Sequence, residues 1–526
     1  MKIAIAQLNY TIGDIDGNTS KIIDSINKAK AQRADLVIFA EQAVSGTPAF
    51  DLLRKTTFLE LCEDALVEIA SCCDGIAAIV GLPILTREGT ISAAALIQDR
   101  KVLRYVGKKY ISARREMGFL VPSKGFEYAT IKGHKCAIIV GDDLSREHDF
   151  DKSVETVISI NARKYGRGTM TYRYEMMRHL SFVEAKNIVL VNQVGGATDI
   201  VYDGTSGAFN NRGELVLMMK QFEEDFQIFD TKAQNPPVGV PSTYNDRTRM
   251  VYQAARCGLR DFFLKNGYKK ACIGLSGGID SAVVACLAAD ALGAGNVRAL
   301  LLPSQFSSDH SVEDAKKLAE NLGIEYNVIP ITEIYTSVVN TLKPVIGGRE
   351  FDATEENIQT RIRTVLLMAV QNKTDYILLN SSNKSENALG LCTLYGDTAG
   401  AFSPTGDLYK SEMYDVARYI NRTFGNVIPE NILDKEPSSE LHPGQKDSDI
   451  LPPYEVVDAI LLRMIEEGQH REEIVNAGFD SEVVEKIHCM IMRNEKKRYQ
   501  FPPVLRLSMC SFGHERLMPL TNKYGD

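Results

Sequence analysis

Apolar residues along this chain fall into two rhythms. Short runs rich in Val, Ile and Ala recur at Lys2–Gln7, Leu36–Ala40, Ile76–Gly81, Ala93–Gln98, Cys136–Val140, Val157–Ile160 and Asn187–Gln193, with amphipathic helical patterns between some of them. Each run predicts a strand, and the set predicts a layered α/β domain with some hairpins. A second set, Ala271–Leu275, Arg298–Leu302, Tyr326–Ile331 and Tyr376–Asn380, alternates with helix-length segments beginning near Ser281, Ser311 and Glu355. That alternation predicts a doubly wound parallel sheet. Ligands of such sheets collect beyond the carboxyl ends of the strands, so the loops after those four runs are where chemistry is expected. Between the two sets, Asn235–Thr243 concentrates three prolines and a glycine ahead of a helical pattern starting near Thr248. The expected organisation is one domain over 1–234, a linker over 235–245 and a second domain over 246–526, whose last part is helical and then irregular.

Composition excludes several classes. With 44% hydrophobic and 24% charged residues among 526, and no low-complexity tract, the chain can bury a sizeable core and is not extensively disordered. Its 60 Lys and Arg against 68 Asp and Glu leave a net charge of -8, which gives no electrostatic reason to expect nucleic acid or an acidic membrane as a partner. Met1–Gln7 alternates like a strand instead of placing an apolar signal segment after a basic one, so a soluble, cytoplasmic protein is expected. The ten cysteines are scattered, and the adjacent pair Cys72–Cys73 suits neither a metal knuckle nor a disulfide framework. They read as buried thiols.

One loop carries a chemical signal. Ile273–Val284 places Ser276-Gly277-Gly278-Ile279-Asp280-Ser281 between a buried strand and an apolar helix. The glycines let several N–H groups approach an anion, the helix amino terminus adds partial positive charge, and the serines add hydroxyl donors. A carboxylate beside a polyphosphate makes sense when Mg2+ stands between them, which is the reading of Asp280. The loop is too short for GxxxxGK[ST] and lacks its lysine. It resembles instead the PP-loop of the ATP pyrophosphatases.

Further segments narrow the resemblance. Leu302–Ser308, Glu356–Arg363, Asn383–Glu386, Thr393–Asp397, Asp407–Lys410 and Lys435–Leu441, with Pro443–Gln445, Leu451–Glu455 and Lys497–Pro503 beyond, together resemble the NAD synthetases of the two-domain, glutamine-dependent type. The resemblance covers residues 246 to 526 and implies an ATP-dependent amidation of deamido-NAD that releases AMP and pyrophosphate. Carried over position by position, it implies ATP binding by Ser276, Gly277, Gly278, Asp280, Ser281, Ser381, Lys410 and Ser438. It implies Mg2+ at Asp280 and Glu386, and charge neutralisation by Lys410 on the transferring phosphoryl group. Asn357, Arg361, Tyr395 and Asp397 fall at the deamido-NAD site. Asp397 is the candidate to bind ammonium and take its proton, completing a catalytic set of Asp280, Glu386, Lys410 and Asp397.

The first 230 or so residues resemble the nitrilase-type amidases, which implies an α-β-β-α layered domain. The resemblance rests on Ile3–Asn9 with Gly13-Asp14, and on Leu36–Glu41 continued by Gly46–Leu53. Glu41 stands at the family's general base, and Lys108 or Lys109 near its lysine, with Tyr110–Arg115 departing from the pattern. At the nucleophile's position, after Cys136–Val140, this chain has Gly141, followed by Asp142-Asp143. Glycine has no side chain with which to form a thioester. Asn161–Tyr165 brings bulky cations where the family has small residues, and Thr169 sits where a lysine is expected. Cys136 lies five residues upstream, about 16 Å along a strand at ~3.3 Å per residue, too far to substitute. The expectation is a degenerate amidase domain and an ammonia-using synthetase, with a homo-oligomer implied by the resemblance. Two alternatives stay open: a glutamine-dependent synthetase using an unrecognised nucleophile or a separate glutaminase partner, and a non-catalytic nucleotide-binding scaffold.

Overall fold

Alternate side chains of the strand Lys2–Gln7 enter two different cores, Ile3 and Ile5 on one face and Ala4 and Ala6 on the other, and for this reason the run is apolar nearly throughout. The computed structural model describes residues 1–111, 116–146, 150–233, 235–244, 246–347 and 349–523. The chain divides into two units, Met1–Asn245 and Asp246–Asp526.

In the first unit, Lys2–Gln7 pairs with Leu36–Ile38 in parallel and Asp225–Asp230 antiparallel. The sheet is completed by Ala77–Thr86, Gly89–Gln98 and Lys101–Gly107. A second six-stranded sheet runs in the order Leu215–Met218, Gly207–Phe209, Asn187–Asn192, Thr156–Asn161, His134–Val140 and Glu127–Ile131. Ile3, Ile38, Ile79 and Leu96 of the first sheet meet Ile138, Val140, Ile160 and Val189 of the second in one core. Helices Ile15–Ala31 and Thr56–Ser71 cover the outer face of the first sheet, and Thr169–Glu184 the outer face of the second. This is the expected α-β-β-α layering. The runs that read as strands are its central ones. Lys101–Gly107 and Asp225–Asp230 escaped that reading because they are edge strands, half solvated and rich in charge.

The second unit is built on four parallel strands in the order Glu325–Val328, Val297–Leu301, Lys270–Gly274 and Tyr376–Leu378. Each stops short of its apolar run, because Leu275, Leu302 and Asn380 already belong to the loops. Helices Ile279–Leu292, Asp309–Leu322 and Ala353–Lys373 follow three of them. The sequence reading did not place a further helix, Thr332–Ile346, whose Tyr335, Val338, Val339 and Leu342 pack in the same core as Ile358 and Ile362. The expected linker is partly tied down: the Val238 N–H donates to the Leu215 carbonyl at 2.8 Å. Its last residue, 245, and residue 234 just before it lie outside the described residues.

Candidate active site

A cavity of about 640 Å3 opens at the carboxyl ends of the parallel strands, where the topology leaves backbone groups unpaired. Ser276, Gly278, Asp280 and Ser281 line it. Gly277 stands behind them with φ +80°, and a Cβ on it would lie 2.2 Å from the Ser311 carbonyl oxygen, so no other residue fits there. The serines brace the turn. Ser276 and Ser281 hydroxyls lie 3.1 Å apart, and the Gly278 N–H donates to Ser276 Oγ at 3.2 Å.

Opposite the loop, Lys410 and Glu386 are delivered by the first turns of helices Lys410–Phe424 and Lys384–Leu389. Lys410 Nζ lies 2.5 Å from Asp280 Oδ2 and 3.3 Å from Glu386 Oε1. Asn383 donates to the other Asp280 oxygen at 3.0 Å while capping the Glu386 N–H at 2.9 Å. Beneath them Asp458 accepts from the Ser385 hydroxyl and from the Ser411 N–H at 2.8 Å, tying both helix starts together. Burial disfavours the Lys410 ammonium, but Asp280 and Glu386 outweigh it and hold the lysine well above its usual value. Burial raises the Glu386 carboxyl, against the pull of Lys410. Two carboxylates already converging on one positive charge are a donor set of hard oxygens that fits Mg2+.

The remaining candidates divide. Ser381, Ser438 and Asp397 line the cavity. The Ser438 hydroxyl donates to the Gln445 carbonyl at 2.6 Å, so it shapes its own loop. Asp397 accepts from the Thr393 N–H at 2.7 Å. Its carboxylate is exposed to the open cavity yet set among enough protein that burial pushes it up to about 6. Asn357, Arg361 and Tyr395 do not line the cavity; they gather at its edge around residues 393–397. Asn357 accepts from Thr393 Oγ1 at 2.7 Å, Arg361 donates to the Leu394 carbonyl at 3.1 Å, and Tyr395 is exposed. Sequence reasoning quoted but did not single out Arg363, Lys435, Glu440 and Lys497. Glu440 accepts from the hydroxyls of Ser308 and Ser311 at 2.7 and 2.8 Å, fastening the segment after Lys435 across the PP-loop side. Lys497 donates to the carbonyls of Gly390 and Cys392, at 2.6 and 2.8 Å, and so supports the loop that carries Asp397.

In the first unit, Glu41 accepts from Ser92 Oγ at 2.8 Å and from Lys108 Nζ at 3.1 Å, and Lys108 also reaches Glu116 at 3.3 Å. Lys109 takes no part: it is exposed, and its N–H donates to Asp143 at 2.8 Å. Gly141 opens a turn with φ +62°, and a Cβ on it would stand 2.7 Å from Glu41 Oε2 and 2.8 and 2.9 Å from Lys108 Cε and Nζ. The acid and the lysine have closed over the space that a side chain at 141 would occupy. Burial raises the Glu41 carboxyl, and Lys108 opposes it; burial lowers Lys108, and Glu41 and Glu116 more than reverse that. Cys136 points into the core between the sheets. Arg163 is mostly buried, donating to Asn161 at 3.2 Å and lying 3.7 Å from Asp142. Thr169 begins the helix Thr169–Glu184. Of the departing segment, residues 112–115 lie outside the described residues.

A family model described as NAD synthase matches residues 251–501. The glutamine-dependent NAD(+) synthetase of Acinetobacter baylyi is 37% identical over 535 residues, covering 99% of this chain and 98% of the relative. The enzyme of that name from Aquifex aeolicus is 36% identical over 568 residues, covering 100% of both chains. Among solved structures, the glutamine-dependent NAD+ synthetase of Acinetobacter baumannii in complex with ADP has a TM-score of 0.76 at 34% identity, over 99% of this chain and 98% of that one. The Cytophaga hutchinsonii glutamine-dependent NAD(+) synthetase, at 20% identity, shares the fold with a TM-score of 0.87 over 99% of this chain and 98% of that one.

Proposed function

Because the chain belongs to the glutamine-dependent NAD(+) synthetase family, we propose that it amidates deamido-NAD to NAD at the cavity of the second unit and takes the nitrogen as free ammonia. The observation that carries the nitrogen source is Gly141. Where the amidase chemistry needs a nucleophile beside Glu41 and Lys108, there is no side chain, and those two residues fill the gap.

The residues divide the reaction between them. The nicotinate carboxylate oxygen forms a bond to the α-phosphorus of ATP as the bond to the β-phosphate breaks, and pyrophosphate leaves with the electron pair. Ser276, Gly278 and Ser281 offer it hydroxyl and N–H donors at the start of helix Ile279–Leu292. Lys410 supplies a buried positive charge where the phosphoryl group moves, the kind of contact worth several kcal/mol in a transition state. Bound at Asp280 and Glu386, Mg2+ would neutralise phosphate charge and order the polyphosphate. Ammonia nitrogen then attacks the carbonyl carbon, AMP departs, and Asp397 takes the proton lost from nitrogen. Asn357, Arg361 and Tyr395, at the edge of the cavity, are the residues we assign to the dinucleotide.

The names of the relatives favour a second reading, in which glutamine is the donor through a nucleophile elsewhere in the chain or a partner glutaminase. Purified protein given Mg·ATP and deamido-NAD, with ammonium chloride in one series and ammonia-free glutamine in the other, separates them. NAD formed with ammonium alone is expected. Equal turnover with glutamine would overturn the ammonia reading, and labelling by a thiol-directed glutamine analogue would then locate the nucleophile. Family membership leaves the non-catalytic scaffold reading without support.

A further inference from the structure

Among the described cations lining the cavity, Lys410, Lys435 and Lys446 each have a carboxylate oxygen within ion-pair distance. Arg363 has none. It is fixed instead by one neutral bond, from Nε to the Leu302 carbonyl at 2.9 Å, which leaves both terminal amino groups without a partner among the described residues. Burial lowers the guanidinium to about 10, with Glu440 and Asp397 as the charges that oppose this from a distance. It therefore remains protonated at neutral pH.

Helix geometry aims it inward. Thr360, Arg363, Thr364 and Leu367 all line the cavity, a stripe at spacings of three and four on the helix Ala353–Lys373. Arg361, two residues away and so rotated by roughly 200° at 3.6 residues per turn, is on the exposed side. The stripe lies where strand Val297–Leu301 ends, and Arg363 feels both Glu440, fastened over the PP-loop side, and Asp397, at the amidation end. One substrate group must meet both ends. The α-phosphate is bonded first to the departing pyrophosphate and then to the carbonyl that nitrogen attacks.

Resting on the synthetase reading above, we infer that Arg363 binds the α-phosphate of ATP and stabilises the charge that gathers on its non-bridging oxygens during adenylation. The arginine forms no covalent bond and keeps its proton throughout. It is a catalytic residue whose contact strengthens as the phosphorus becomes five-coordinate, a two-pronged match of planar donors to phosphate oxygens.

Three variants, Arg363→Gln, Arg363→Lys and Arg361→Gln, are compared with the unaltered enzyme in ammonium-supported turnover, following pyrophosphate and NAD separately. Arg363→Gln is expected to lower kcat for pyrophosphate release roughly hundredfold or more, as loss of one transition-state donor does elsewhere, with a much smaller change in KM for ATP. Arg363→Lys loses the geometry of the Leu302 bond but keeps the charge, and is expected to recover about tenfold of that loss. Arg361→Gln, at the edge assigned to the dinucleotide, should instead raise KM for deamido-NAD, which separates loss of a dinucleotide contact from loss of a phosphate contact. If Arg363→Lys recovers nothing, or if thermal melting shows that Arg363→Gln is unfolded while Arg363→Lys is as slow and still folded, the residue is structural and the inference is wrong. A change confined to KM would also overturn it. Should the unaltered enzyme release pyrophosphate without forming NAD, or form neither, the failure belongs to the synthetase reading and not to Arg363.

Discussion

The residue on which most turns is Gly141, because its effect is a matter of tenths of an ångström. Replacing it with cysteine puts a Cβ 2.7 Å from Glu41 Oε2 and 2.8 Å from Lys108 Cε, in a left-handed backbone conformation with φ +62°. Overpacking of that kind costs about 1–3 kcal/mol. Gly141→Cys alone is therefore expected to lower the denaturation midpoint and to yield no glutaminase activity; glutamine-derived ammonia from the variant would show that the residues around Glu41 and Lys108 can still accommodate glutamine. Asp397 makes a second prediction. With its carboxyl pushed up to about 6 by burial, it is a usable base only above that pH. With the concentration of neutral ammonia held constant across the series, turnover should rise through about pH 6 and then level off, whereas Asp397→Asn should be slow and lack that rise. Equal losses of amide formation and of ATP binding in that variant would remove Asp397 from the proton-transfer role. At this scale the sequence was informative about residue types and blind to direction. Lys108 and Lys109 are indistinguishable in a string, yet one is buried against Glu41 and the other is in solvent. Arg361 and Arg363 are separated in the same way, by helical rotation.

Among the elements, two helix starts do the positioning. Lys384–Leu389 is a single short turn-and-a-half that presents Glu386, and Lys410–Phe424 begins on the lysine itself. Neither would hold its first residue in place alone, because the leading N–H groups of a helix need partners. Asp458, on the helix Tyr454–Ile465, serves both at once. Asp458→Ala should leave the Ser385 hydroxyl and the Ser411 N–H without their acceptor, at a cost of about 1–3 kcal/mol. Kinetically it should lower kcat more than it raises KM for ATP, since Glu386 and Lys410 lose alignment while the PP-loop is untouched. A variant with full kcat would show that the two helix starts are held by other contacts. The sequence located both helices' motifs, Asn383–Glu386 and Asp407–Lys410, but nothing in its periodicity connects them to a carboxylate about fifty residues beyond Lys410.

At the scale of the whole molecule, each unit has its own cores: two sheets packed face to face with helices outside in one, a parallel sheet with helices and a helical subcluster around Val457, Leu461 and Ile487 in the other. Unfolding should therefore depart from a single two-state transition. Mg·ATP should shift only the transition of residues 246–526, by about 2.7 kcal/mol at a hundredfold excess over Kd. Circular dichroism of urea-unfolded samples, with and without nucleotide, tests this; the chain has no tryptophan to report instead. A single transition moved as a whole would show that the units unfold together. By itself the sequence determined the interior strands, the glycine-rich turn and the glycine at position 141. Those depend on residue type at short range: apolar runs that can only be buried, glycines that alone tolerate φ near +80°, a side chain that is simply missing. Only the tertiary structure decided which lysine meets Glu41, which arginine faces the cavity, and that Asn383 and Asp458 brace Asp280, Glu386 and Lys410. These are contacts between residues that are distant in sequence or differ only in the direction of a side chain, and direction is set by how helices and strands pack, which a linear pattern does not record.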